Sequence, residues 1–150
     1  MTTAPEAGAA RRIPGWLRAL RWAVLVLATL VVIGVFVQVF LIASYLFSGV
    51  TDQDLLDTHK DMGFTVHSVE VLTFVVAIGA FWRRWVDLGW AFALGVLGTV
   101  QIGLADSDDK YVGGLHGMFA LLVLILAAVV VHRTIRSLGM GRTGRMPGAY

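Results

Sequence analysis

Four long apolar runs constrain this chain more than any other feature. Residues 22–47 are apolar except for Gln38 and a few small hydroxyls, and comparable runs cover 62–82, 88–105 and 111–131. A helix needs about 20 apolar residues to cross the hydrocarbon core of a bilayer. The backbone in that core must satisfy its own hydrogen bonds, so each run is expected to be a helix. A strand reading fails because no run alternates polar with apolar residues. With 57% hydrophobic and 15% charged residues, the 150-residue chain reads as a single membrane domain. The division expected is a flexible arm over 1–15, a four-helix transmembrane domain over 16–135 and a basic tail over 136–150. Arg11 and Arg12 before an apolar run resemble the start of a secretory signal. The run is too long and lacks a small-residue cleavage site, so it reads as a retained anchor.

Charge placement orders the helices. Arg11, Arg12, Arg18 and Arg21 precede the first run, Arg83 and Arg84 separate the second and third, and Arg133, Arg136, Arg142 and Arg145 follow the fourth. Every arginine therefore falls on one side. The other side carries Asp52, Asp54, Asp57, Asp61, Asp106, Asp108 and Asp109, with only Lys60 and Lys110. The positive-inside rule puts both termini in the cytoplasm, which makes the expected fold an all-α, four-helix transmembrane bundle, N-in and C-in. The net charge of +2 then reports topology and contact with anionic lipid. No folded basic face or motif points to nucleic acid. The location implied is the cytoplasmic (inner) membrane.

A short repeat divides the chain into two hairpins. Val37-Gln38-Val39-Phe40-Leu41 resembles Val100-Gln101-Ile102-Gly103-Leu104. Each glutamine lies late in an outward-going helix, and each is followed by an acidic loop and a histidine early in the returning helix. Two parallel hairpins packed side by side would be related by a pseudo-twofold axis along the membrane normal.

The polar groups inside the runs carry the chemistry. In THKDMGFTVHSVE, His59, Gly63, His67 and Glu70 fall within about 80° of one another on a helix. Such a stripe faces the bundle interior, because an ionised carboxylate near the bilayer centre costs about 2.5–3.5 kcal/mol. Glu70 is therefore expected to be paired or protonated. On the fourth helix, His116 lies in GGLHGMFALL, with Gly113 and Ala120 on its face and Gly117 beside it. Small residues let a flat group or a neighbouring backbone approach. His116 lies about 8 Å into its helix, between the depths of His59 and His67, which is about 12 Å deeper than His59.

Two histidines on facing helices near one membrane surface point to haem b. Iron takes one imidazole nitrogen on each face of the ring. Glycines leave the gap, Phe64, Leu115 and Phe119 would wall it, and Lys60 or Lys110 would meet the propionates. The chain has no cysteine, which excludes a disulfide framework, an iron–sulfur cluster and covalent haem attachment. The ligands expected are His116 and either His59 or His67. Other readings stand beside this one. Gln38, Gln101 and Glu70 would border the haem pocket, or the glutamines and histidines can act as interhelical glue in a structural or assembly subunit. Glu70 with the histidines can form a relay in a small proton-coupled transporter. A divalent-metal site at His67 and Glu70 would need a third and a fourth ligand. His132, among the arginines, reads as an interfacial residue.

The segments VQVFLIAS, HKDMG, VQIGLADS and LHGMFALL resemble one four-helix half of the haem A synthase family, and small bacterial four-helix membrane proteins similar to it. The resemblance spans roughly residues 35–125 and rests on short motifs. It implies axial ligands at His59, in the HKxxG pattern, and at His116, in LHG, with His67 a pocket residue or alternative ligand. The chain departs from that family in having one half in place of two. It lacks the glutamate before the first histidine, has Lys60 where an arginine is usual, and has no loop cysteines. What it implies is a haem-binding half-unit that dimerises, or an electron-transfer or accessory subunit, with a quinone or a redox protein as partner.

Overall fold

The computed structural model describes residues 13–105, 107 and 109–140. Four helices follow one another: α1 (Gly15–Phe47), α2 (Gln53–Ala80), α3 (Trp85–Ala105) and α4 (Lys110–Ser137). Among the described residues there is no strand, and all four helices are long and apolar enough to cross a membrane. The architecture is the four-helix, multi-pass membrane bundle expected. Short connections make consecutive helices antiparallel, and the helices pack in a ring, α1 on α2, α2 on α3, α3 on α4 and α4 on α1.

The helices outrun the apolar segments at polar ends. α2 begins at Gln53, because the Asp52 carboxylate accepts a hydrogen bond from Leu55 N at 3.3 Å. α4 begins at Lys110, where Asp109 Oδ1 accepts from Tyr111 N at 2.7 Å and Val112 N at 3.3 Å. Two acids of the outer loops are therefore helix N-caps, satisfying amides that have no partner within the helix. Pro14 precedes α1, and its fixed φ suits a helix start. α4 runs on through Arg136 and Ser137. Residues 1–12 and 141–150, which include Arg11, Arg12, Arg142 and Arg145, lie outside the described residues, as do Asp106 and Asp108.

The packed core occupies the arginine-bearing half. Val24, Ala28, Ala77, Ala80, Phe81, Ala91, Ala127 and Val130 are buried there, and Val31, Val35, Leu94 and Val123 continue the core into the middle of the bundle. Each helix contributes a fully buried alanine: Ala28, Ala77, Ala91 and Ala127. Lipid tails are as apolar as leucine, so helices gain by close backbone approach, and alanine permits it. The aromatic and aliphatic side chains on the outside, such as Phe36, Phe40, Phe92 and Ile125, are exposed, as lipid-facing residues would be.

Candidate functional site

The other half of the bundle is hollow. A cavity of about 450 Å³ opens there, bordered by Gln38 of α1, His59, Gly63, His67 and Glu70 of α2, Gln101 of α3 and His116 of α4. Pockets for small molecules run from about 300 to 1,000 Å³. The sequence stripe on α2 is therefore one wall of a real space. Gly113 and Gly117 lie elsewhere: both are exposed, with nothing within 4 Å of the position a Cβ would take. Gly113 sits a turn nearer the helix start than His116, and Gly117 points away from the interior. Room is made instead by Gly63, Gly98 and Gly103. Of the expected apolar walls, Phe64 borders the cavity and Leu115 and Phe119 do not; Val35, Val66, Ile102 and Val123 take their place. Lys60 is at its rim, 3.7 Å from Asp57. Lys110 lies over the Tyr111 ring at 5.2 Å and does not border the cavity.

His59 and His116 meet across this space. Their ring centroids are 6.4 Å apart and the ring planes are inclined at 84°. Each ring is held by a backbone carbonyl of its own hairpin: His59 Nδ1 is 3.2 Å from Gln38 O, and His116 Nδ1 is 3.1 Å from Gln101 O. A carbonyl can only accept, so each Nδ1 carries the proton, and Nε2 is left with its lone pair. The two hairpins thus repeat one contact, as the Gln–His repeat in the sequence anticipates. They differ in the glutamine amides. Gln38 Nε2 donates back to His59 O at 2.9 Å, while Gln101 Oε1 is buried without a partner among the described residues.

His67 is a step deeper and belongs to a different pair. Its Nδ1 is 3.2 Å from Oε2 of Glu70, which is only 2% exposed. The carboxylate lies against Gly98 of α3, filling the space where a Cβ would stand. Glycine at 98 is therefore a cradle for Glu70: any side chain would displace it. The pairing expected for a membrane-buried glutamate is met by His67. Among the described residues no three His, Asp or Glu side chains gather to hold a metal ion, so the divalent-metal alternative lacks its further ligands.

A second polar cluster, at the arginine end, was not singled out in the sequence. Asp87, buried, receives Arg84 at 2.7 Å and Arg133 Nε at 2.7 Å. Arg21, also buried, donates to Ala80 O at 3.4 Å and Ser137 O at 3.0 Å. It stacks over Phe81 at 5.8 Å, and Arg84 stacks over the same ring at 5.3 Å. Arg83, at φ 65°, makes the tight turn that presents Arg84 to Asp87. The available signal was the i, i+3 spacing of Arg84 and Asp87 at a helix start. The arginines counted only as topology markers thus also clamp α1, α2, α3 and α4 together.

No family model, curated protein or solved structure matches the chain. The reading of the site rests on its own geometry.

Proposed function

We propose that this protein is a haem b-binding subunit of the cytoplasmic membrane, with His59 and His116 as axial ligands near the outer face. One observation carries the reading, the spacing of the two imidazoles. With metal–imidazole bonds of about 2 Å and ring nitrogens about 1 Å from their centroids, two imidazoles on opposite faces of one ion stand about 6 Å apart. The observed 6.4 Å agrees. Both Nδ1 atoms are committed to backbone carbonyls, the arrangement that orients a ligating imidazole and raises its basicity. Glycines at 63, 98 and 103 and the valines at 35, 66 and 123 supply room and apolar walls, and Lys60 stands where a propionate would reach the rim.

Bound between two histidines, haem would supply one-electron transfer without an open position for oxygen chemistry. The protein's own contribution is to fix both imidazoles, exclude water with apolar walls and hold Glu70 beside His67. A site near one surface does not carry electrons across the bilayer, so a quinone, a redox protein or a second copy of the chain is the implied partner. The arginine end faces the cytoplasm by the positive-inside rule. His67 stays a pocket residue in this reading, one of the two roles that the resemblance to haem A synthases implies for it.

The test is a dithionite-reduced minus oxidised spectrum of the full chain, expressed with ample haem and purified in mild detergent. A b-type spectrum is expected, abolished by His59→Ala and by His116→Ala and kept in His67→Ala. A colourless wild type with full helical circular dichroism would sink the reading. The Gln–His contacts would then be interhelical glue in a scaffold or assembly subunit.

A further inference from the structure

A second cavity, of about 220 Å³, opens at the arginine end of the bundle, between the start of α3 and the end of α4. It is lined by Arg84, Asp87, His132, Arg133, Arg136 and Ser137. Three guanidiniums and one carboxylate therefore line it. Asp87 is engaged by Arg84 and Arg133. Arg136 makes no ion pair and no side-chain hydrogen bond among the described residues, and nor does the exposed His132. The first amides of α3 point toward the same end, adding the partial positive charge of a helix N-terminus. Trp82 and Trp85, both well exposed, flank the turn beside the cavity. Exposed tryptophans at helix ends sit at headgroup depth.

We propose that this cavity binds the phosphate of an anionic phospholipid headgroup. The Asp87 bridge fixes Arg84 and Arg133 in place before any ligand arrives, so they need little further ordering. Arg136 and His132 supply the uncompensated donors. Guanidinium is suited to phosphate because its planar fork can offer two parallel N–H groups. The acyl chains of such a lipid would run along the exposed apolar side chains of the bundle, which a soluble phosphate cannot use. That makes a lipid the favoured source of the anion. The proposal does not depend on haem binding at the opposite end.

The experiment uses the full chain in mild detergent, with native mass spectrometry reading bound lipid and thermal unfolding reading stability. Phosphatidylglycerol, phosphatidylcholine and inorganic phosphate are titrated separately. Arg136→Gln and His132→Gln leave the Asp87 bridge intact, so both should fold. Arg18→Gln removes an exposed positive charge from the same end without touching the cavity. Phosphatidylglycerol should be retained in preference to phosphatidylcholine. Arg136→Gln should weaken that retention about tenfold, the loss of one charged hydrogen-bond partner. Arg18→Gln should leave it nearly unchanged. Equal losses in Arg18→Gln and Arg136→Gln would overturn the site in favour of diffuse surface charge. Equal retention of the two lipids, or inorganic phosphate stabilising the protein as well as phosphatidylglycerol, would overturn the lipid assignment.

Discussion

At the arginine end of this bundle one buried carboxylate gathers two guanidiniums, and the helices behind it close on fully buried alanines. At the opposite end histidines, glutamines and a glutamate border open space. The difference is one of purpose. Polar groups at the first end cross between helices and tie α1, α2, α3 and α4 together beside a smaller cavity. Those at the second end bond mostly within a hairpin and border a larger cavity. The bundle thus joins a closely packed half that sets the helix spacing to a loosely filled half where that spacing leaves a cavity.

The contrast is sharpest in three measurements. Asp87→Ala should have the largest effect on thermal unfolding in detergent. It leaves two arginines without their carboxylate, and a fully buried pair broken this way costs about 3–5 kcal/mol. Arg84 and Arg133 side chains are 40% and 36% exposed, so solvent screening brings the expectation to about 2–3 kcal/mol. A stability unchanged within error would mean that the clamp is ornamental and that alanine packing alone sets the spacing.

Gly98→Ala comes next, at about 2 kcal/mol, the usual cost of overpacking a close contact. The added methyl takes the place of the Glu70 carboxylate and must break its bond to His67 or push α2 from α3. If the melting temperature holds, the hollow end is more pliable than its geometry indicates.

The smallest effect separates the two hairpins. Gln38→Ala removes a hydrogen bond and should cost about 1 kcal/mol, whereas Gln101→Ala removes a buried, unpartnered carbonyl and should cost close to nothing. Equal costs would show that the glutamines are equivalent in solution and that the hairpins are more alike than their amides.

The helices, their number and their order were legible because lipid imposes a length and an apolar composition that no other fold shares. The stripe of His59, Gly63, His67 and Glu70 was legible for a related reason: on an otherwise apolar helix, polar residues at helical spacing have only the interior to face. Which of His59 and His67 stands opposite His116 does not follow from helix periodicity, since it depends on which ring the facing helix meets, and α4 brings His116 to His59. Gly113 shares the face of His116 at i−3 but lies nearer the helix start than the cavity, and Gly117, the next residue, is turned about 100° away from it. Gly98, on a helix with no histidine, carried no local signal for its contact with Glu70. Asp87 was overlooked because a lone acid beside arginines at a helix end looks like an ordinary surface pair, and only the return of Arg133 from α4 buries it.

The tethers on the two histidines run within hairpins, Gln38 to His59 and Gln101 to His116, and neither crosses from one hairpin to the other. Each half of the molecule therefore orients its own imidazole, and the cavity they border forms only where the two hairpins meet.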